Sequence, residues 1–191
     1  MRRRGPILRV SEGIVAFSLV LGLVLPAFAQ IVLPDKPIVE ATRNNNVEGI
    51  AAALIGGASP QTRSADGTPL LVMAARERYA EALETLLEHG ARPDDRAPDD
   101  TTPLTIAAEL GDLRIVNDLI THGADLDRTG RLGETALIKA ARTDQFNIVK
   151  ALLAAGADRD ATDATGRTAA DVALERGHSR IVDLINAPPA Q

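Results

Sequence analysis

The sequence predicts an all-α solenoid in which about five helix-turn-helix repeats stack side by side. Three sets of residues recur every 33 positions. The glycine that ends each second helix lies at Gly57, Gly90, Gly123 and Gly156. The small residue inside each first helix lies at Ala41, Ala74, Ala107, Ala140 and Ala173. The apolar pairs of the second helices are Ala82/Leu83, Ile115/Val116, Ile148/Val149 and Ile181/Val182. Such self-similarity indicates units that bury their apolar faces only against their neighbours.

The third repeat, residues 97–127, shows how one unit is built. Thr102 is a good N-cap for the first helix, and Pro103 suits its first position. Gly111 supplies the left-handed residue that ends this helix, and Asp112 opens the second. The second helix carries an apolar stripe at Ile115, Val116, Leu119 and Ile120. This stripe and the first helix need neighbouring units to cover them.

The repeat domain is predicted to span residues 37–186. Its repeats lie at about 37–60, 64–94, 97–127, 130–160 and 163–186. In the second repeat, Thr68-Pro69 lies one residue before the position that the 33-residue period predicts from Thr102-Pro103. Its first helix is therefore expected to begin one residue sooner. In the last repeat, Arg176, Arg180 and Asp183 are expected to make the outer side polar, as a terminal unit requires. Residues 187–191, with two prolines, form a tail that cannot continue a helix.

The first 29 residues have the three parts of a secretory signal peptide. Arginines open the segment, Ile14 to Leu25 is an uncharged and mostly apolar run, and Ala27-Phe28-Ala29 provides a cleavage site before Gln30. The alternative, a membrane anchor, needs about 20 apolar residues, more than this run offers. The sequence therefore predicts export to the periplasm, a short lead over residues 30–36 and no membrane segment after cleavage.

Composition excludes several classes of function. The chain has no cysteine, so thiol catalysis and cysteine-ligated metals are excluded. Without residues 1–29 it keeps 17 basic and 25 acidic residues, a net charge of −8, with no basic run. Nucleic-acid binding is therefore not expected, because it depends on clustered Lys and Arg. No nucleophile motif and no phosphate-binding glycine loop is present, so the sequence predicts a protein that is not an enzyme and has no cofactor.

The segment TPLTIAAELGDLRIVNDLITHGAD resembles the ankyrin repeat, whose pattern is TPLHxAA, then G, an apolar pair and LLxxGAD. The resemblance covers about residues 37–186. It implies β-hairpin or loop fingers between the helix pairs, centred on residues 61–66, 94–99, 127–132 and 160–165. The resemblance implies that the histidine of TPLH ties the loop to the helix within each unit. In this sequence Val72, Thr105, Ile138 and Asp171 take its place, so this polar clasp is expected to be missing.

The fingers and the outer side of the first helices are predicted to form one concave face. Through this face a monomer of this chain is expected to bind a periplasmic partner protein. Arginine and tyrosine are enriched at binding hot spots. The candidate partner-binding residues are Arg63, Asp66, Arg76, Arg78, Tyr79, Asp95, Arg96, Glu109, Arg128, Arg131, Arg142, Asp160 and Arg167.

Two other functions stay open at this point. A metal-binding or regulatory protein would use His89, His122 and the Asp-rich turns at Asp94-Asp95, Asp99-Asp100 and Asp125/Asp127. The two histidines precede the glycines that end second helices, where a cation also interacts favourably with the helix dipole. The spacing of the aspartates does not fit a calcium loop. The remaining possibility is a structural protein whose ends stack on one another.

Overall fold

The computed structural model describes residues 36–188, which form five antiparallel helix pairs. The predicted signal peptide, most of the lead and the last three residues lie outside the described residues. The first helices of the pairs are α1 (Pro37–Arg43), α3 (Leu70–Arg76), α5 (Pro103–Leu110), α7 (Ala136–Arg142) and α9 (Ala169–Arg176). The second helices are α2 (Val47–Ile55), α4 (Ala80–Glu88), α6 (Leu113–Thr121), α8 (Phe146–Ala154) and α10 (Ser179–Asn186). None of these helices is long and apolar enough to span a bilayer.

The helices stack in two layers. Each first helix packs on the first helix of the next repeat, and each second helix packs on the next second helix. Ala74, Ala107, Ala140 and Ala173 are fully buried, so the small residue of the 33-residue period allows neighbouring helices to approach closely. Leu86, Leu119 and Leu152 are fully buried at the same position of successive second helices. The all-α solenoid predicted from the sequence is confirmed.

Side-chain caps hold the starts of several helices. The hydroxyls of Thr102, Thr135 and Thr168 accept hydrogen bonds from the backbone N–H three residues later. In the turn after the first helix, Gly111 is left-handed, with φ of 78°. The same position holds Arg78, with φ of 60°, although a bulky residue is seldom left-handed.

The first helix of the second repeat begins at Leu70, in register with Pro103 of the third repeat. The expected early start is therefore wrong. Pro69 takes the N-cap position and provides no side-chain hydrogen bond. Thr68 instead donates its hydroxyl to Asp66, 3.0 Å away. The burial of Ala74 against its neighbours, and not the Thr-Pro pair, fixes where this helix lies.

Four fingers connect the five helix pairs: the first (residues 56–69), second (89–102), third (122–135) and fourth (155–168). Within residues 36–188 they contain no β-strand, and only isolated antiparallel bridges, Arg63 to Pro69 and Thr162 to Thr168, mark the hairpins. A short 3₁₀ turn spans Arg131–Gly133 in the third finger. The fingers are therefore mainly turns, within the loop alternative predicted from the resemblance.

The clasp that the missing histidine would provide is present in two repeats. The backbone N–H of Thr102 donates to Thr105 Oγ1 at 3.0 Å, and that of Thr168 donates to Asp171 Oδ2 at 2.9 Å. The expectation that this clasp is missing is therefore wrong for the third and fifth repeats. At the same position, Ile138 is buried and apolar.

Of the three residues expected to make the outer side of the last repeat polar, Arg176 and Asp183 are exposed, whereas Arg180 has another contact. Arg180 lies over the ring of Phe146 in the preceding repeat, 4.7 Å from its centroid, so it does not cover the end. Leu174 is 68% exposed, whereas Ala141, its equivalent in the fourth repeat, is fully buried by the fifth. Asp171, which replaces the buried Ile138, is exposed and polar.

Candidate partner-binding face

Two adjoining grooves lie along the first helices and the fingers, where the sequence predicts a concave face. The amino-terminal groove, of about 350 Å³, is lined by Arg43, Asp66, Met73, Arg76 and Glu77, among others. The central groove, of about 380 Å³, is lined by Arg76, Asp99, Thr101, Ile106, Glu109, Leu110, Arg131 and Lys139. Because Arg76 lines both grooves, the surface is continuous from the first repeat to the fourth.

Ion pairs between repeats fix the charged side chains of this face. Arg76 of α3 lies 2.6 Å from the carboxylate of Asp99 in the second finger. Lys139 of α7 lies 3.1 Å from the carboxylate of Glu109 on α5. The side chain of Lys139 is 12% exposed, whereas those of Arg76, Asp99 and Glu109 are more exposed, so these pairs keep contact with water and contribute about 0–1 kcal/mol each. Their main effect is to hold long side chains in one position above the groove.

The third finger carries a buried carboxylate. The side chain of Glu134 is 2% exposed and forms ion pairs with Lys139, at 3.1 Å, and with Arg142. The equivalent positions in the first and second fingers hold Thr68 and Thr101. Burial lowers the pKa of Arg142 below its usual range, because the charged guanidinium loses contact with water. This cluster fixes α7 to the third finger.

The fourth finger has a similar pair near its base. The carboxylate of Asp163 accepts hydrogen bonds from the hydroxyl of Thr165 at 2.6 Å and from Arg167 Nη2 at 2.8 Å. These donors, that of Thr165 first, hold the pKa of Asp163 well below its usual range. Arg167 also pairs with Glu175 on α9, 3.0 Å away. Every charged side chain in this network is therefore fixed by a neighbour.

The family model described as ankyrin repeats (3 copies) matches residues 38–130 and 106–188. The chain belongs to the ankyrin repeat family. No curated protein matches the sequence. Ankyrin repeats are in general protein–protein interaction modules and are typically non-enzymatic.

The ankyrin grooves bring together four of the predicted partner-binding residues. Asp66 and Arg76 line the amino-terminal groove, and Arg76, Glu109 and Arg131 line the central groove. Arg142 belongs to the ion-pair cluster of the third finger, and Arg167 belongs to the separate ion pairs of the fourth finger.

Other candidates lie elsewhere in the ankyrin domain. Arg78 is in the turn between α3 and α4, where it pairs with Asp112 at 3.2 Å. Tyr79 is half-buried and packs against the core at the start of α4. Neither residue lines a groove, because both follow the end of the first helix. The structure therefore does not place these two residues on the predicted binding surface.

The remaining candidates lie in the fingers. Arg63 donates to the backbone carbonyl of Arg96 at 2.9 Å and lies 3.8 Å from the carboxylate of Asp95, so these three residues tie the first finger to the second. Arg128 is half-buried. Asp160 is exposed in the fourth finger.

Two residues escaped prediction from the ankyrin pattern: Lys139, which lines the central groove, and Leu132, which follows the groove residue Arg131 at the fingertip. Lys139 occupies a position that holds Met73, Ile106 and Val172 in other repeats, and Leu132 replaces Asp66 and Asp99 at the fingertip. Both could have been predicted from the sequence, because at each position the class of residue differs from that at the same position of the 33-residue period in other repeats.

The histidines of the metal alternative contact the ends of their own helices. Nδ1 of His89 lies 2.8 Å from the carbonyl oxygen of Thr85, and Nδ1 of His122 lies 2.7 Å from that of Asp118. Across residues 36–188, no three His, Asp or Glu residues converge in a way that could hold a metal ion. The structure offers no specific observation in favour of a metal site.

Proposed function

We propose that this ankyrin repeat protein is exported to the periplasm and binds a partner protein through its concave face. The observation that carries the proposal is the continuous pair of grooves, lined by charged side chains that cross-repeat ion pairs hold in place. Ordering such side chains on binding costs about 0.5–1.5 kcal/mol each. Side chains already ordered in the free protein reduce this cost.

The proposed partner is a protein, the proposed activity is non-enzymatic, and no cofactor is required. A solenoid presents an extended surface that suits a protein partner better than a small molecule. The central groove is open, and it holds apolar Ile106 and Leu110 between charged walls. That combination is typical of interfaces with an apolar centre and a polar rim.

Site-specific photo-crosslinking tests the concave face as the binding surface. A benzoylphenylalanine introduced at Glu109 or Arg131, both on the central groove, is expected to crosslink a periplasmic protein in living cells. The matched control positions are Asn117 on α6 and Lys150 on α8, which are exposed and lie outside both grooves. Equal crosslinking from all four positions, or none from the groove, would count against the proposal.

Export is tested separately. The chain carrying a carboxyl-terminal tag is expressed in a Gram-negative bacterium, and the cells are fractionated. We expect the tagged protein in the periplasmic fraction, with a mass that corresponds to an amino terminus at Gln30. A version without residues 2–29 is expected to stay in the cytoplasm. Retention of the uncleaved chain in the cytoplasm would disprove the export proposal and leave the binding proposal standing.

The proposed oligomeric state is a monomer. Leu174, at the end of the last repeat, is larger than Ala75, Ala108 and Ala141, which are buried at the same position of the second to fourth repeats, so a second copy does not fit that end in the same way. Light scattering coupled to size-exclusion chromatography is expected to give the mass of one chain at all concentrations. A mass that rises with concentration would support the alternative of a self-associating protein.

A further inference from the structure

We propose that the third finger anchors an acidic, extended segment of the partner, with Leu132 as the apolar contact and Arg131 as the cationic one. This inference rests on the proposed function and names the chemistry of the segment that the central groove accepts. It comes from three observations on the fingertip: its exposure, its backbone conformation and the absence of a counter-charge for Arg131 among the described residues.

Leu132 is an exposed leucine at a fingertip. Its side chain is 63% exposed, although the equivalent positions of the other fingers hold Asp66, Asp99 and Thr165. Asp66 and Asp99 each accept a hydrogen bond from the backbone N–H two residues later, which stabilises their turns. Leucine cannot form this bond. The folded protein alone therefore gives no reason for leucine at this position.

The backbone at Leu132 is strained as well. Its φ is 64°, a conformation in which a bulky residue is an outlier. Its carbonyl accepts a hydrogen bond of 3.0 Å from the N–H of Ala164 in the fourth finger. Next to it, Gly133 leaves no room for a Cβ, which would lie 2.9 Å from the nitrogen of Ala164. The fourth finger thus holds the leucine in place, and strain of this kind is concentrated at functional sites.

Charge points to an acidic partner segment. Asp99 and Glu109, the carboxylates that line the central groove, are paired with Arg76 and Lys139. Arg131 lines the same groove and is exposed, and its side chain has no ion pair or hydrogen bond within residues 36–188. Arg131 therefore leaves a positive charge without a counter-charge in the central groove, although the whole chain has a net charge of −5. A carboxylate of the partner would complete the alternation of charges along the groove.

The inference is tested with a phage library of random dodecapeptides, panned on the protein expressed from its full chain. We expect enriched peptides to combine an aliphatic or aromatic residue with Asp or Glu. Arg131→Glu is expected to weaken their binding at least about tenfold, and more at low salt, because the contact is electrostatic. Leu132→Asn is expected to weaken binding about fivefold without lowering the Tm, because asparagine accepts the left-handed conformation more easily.

Two matched controls separate the fingertip from general effects. Lys150→Glu on α8 changes the net charge by the same amount outside the groove, and Leu113→Asn removes an exposed leucine from α6. Both are expected to bind the enriched peptides like the wild type. Basic enriched peptides, no enriched peptide, or binding insensitive to both fingertip variants would overturn the inference. Because crosslinking from Glu109 reports partner binding independently, the proposed function can survive that failure.

Discussion

The carboxylate of Asp94 accepts a hydrogen bond of 3.0 Å from the backbone N–H of Asp125, which lies 31 residues later in the next finger. Asp127 bonds the N–H of Asp158 in the same way, at 2.8 Å. These hydrogen bonds form a ladder between successive fingers. Its first member is Gln61, whose side-chain oxygen accepts a hydrogen bond from the backbone N–H of Arg92 at 3.2 Å. These contacts give the Asp-rich turns a structural role: they connect one repeat to the next.

Asp94→Ala is expected to lower the free energy of unfolding by about 1 kcal/mol, because an exposed hydrogen bond between repeats is lost. Urea unfolding followed by circular dichroism measures the change. Asp160→Ala is the matched control, since Asp160 holds the same position in the fourth finger and its side chain forms no such bond within residues 36–188. The control is expected to change stability by no more than a few tenths of a kcal/mol. Equal losses in both variants would contradict the ladder.

Glu134→Gln is expected to destabilise the protein by about 2 kcal/mol, because Lys139 and Arg142 lose the buried carboxylate that neutralises them. The expected loss is smaller than for a fully buried pair, since both cations keep some contact with water. The control, Glu109→Gln, removes an exposed carboxylate from the same lysine and is expected to cost less than about 1 kcal/mol. Chemical unfolding of both variants makes the comparison, and a smaller loss for Glu134→Gln would disprove the role of burial.

Acid is expected to destabilise the solenoid below about pH 4. The pKa values of Asp66, Asp99, Asp163 and Asp171 are lowered from 3.8, because hydroxyl and backbone donors bond to their ionised carboxylates. A lowered pKa in the folded state stabilises the protein above the unfolded pKa, and this contribution is lost as pH falls through the folded pKa. The Tm should therefore fall steeply from pH 4 downward.

Thr165→Val removes the donor that lowers the pKa of Asp163 most. Its Tm is expected to be lower than that of the wild type at pH 6 and to stay lower by a similar amount at pH 3, because the folded-state pKa of Asp163 lies well below that pH and its carboxylate is still ionised in the folded protein. Thr129→Val, an exposed threonine of the third finger, serves as the control and should show the pH profile of the wild type. A Tm equal to that of the wild type at pH 6, or a difference that has already disappeared at pH 3, would refute the assignment.

Asp118→Asn is expected to stabilise the protein at pH 7 by about 0.5 kcal/mol, a modest effect for a partly exposed charge. Burial raises the pKa of Asp118, and its Oδ2 is buried without a hydrogen-bond donor. A raised pKa means that the charged form destabilises the folded state above that pKa. The gain should disappear near pH 3, where the aspartate is neutral, and thermal melts at both pH values measure it. A gain that persists at pH 3 would point to a cause other than charge.

The 33-residue period was sufficient to predict the solenoid, because the same small and aliphatic residues form the core of every unit. Ala74 and Ala107 must be small wherever two helices touch, so their spacing alone predicts stacking. The register of α3 was predicted incorrectly because the Thr68-Pro69 pair was given more weight than this packing. Local caps contribute about 1 kcal/mol, less than the burial of several core side chains.

The binding surface was less predictable, since charge patterns in a sequence do not show which side chains pair. Arg76 and Arg78 looked equivalent, yet the first lines a groove and the second pairs with Asp112 in a turn. Glu134 could not be recognised as buried, because its position is held by threonine in two other fingers. Contacts between repeats, such as that of Lys139 with Glu109, depend on side-chain directions that the period does not specify.

Leu174 and Ala141 occupy the same position in neighbouring repeats but in opposite environments. Ala141 is fully buried by the fifth repeat, whereas Leu174 is 68% exposed at the end of the domain. Leu174→Ala is therefore expected to change the free energy of unfolding by less than about 0.5 kcal/mol. Ala141→Leu, which inserts the same side chain between two packed helices, is expected to destabilise the protein by about 1–3 kcal/mol.

Urea unfolding of the two variants and the wild type gives the comparison. Ala141→Leu introduces a larger apolar side chain, and the equivalent position 174 already holds leucine. Hydrophobicity alone therefore predicts no loss of stability for Ala141→Leu. A loss confined to that variant would show that contact between repeats, rather than helix propensity, requires alanine at this position. If Ala141→Leu is as stable as the wild type, the fourth and fifth repeats do not pack as closely as the burial of Ala141 indicates.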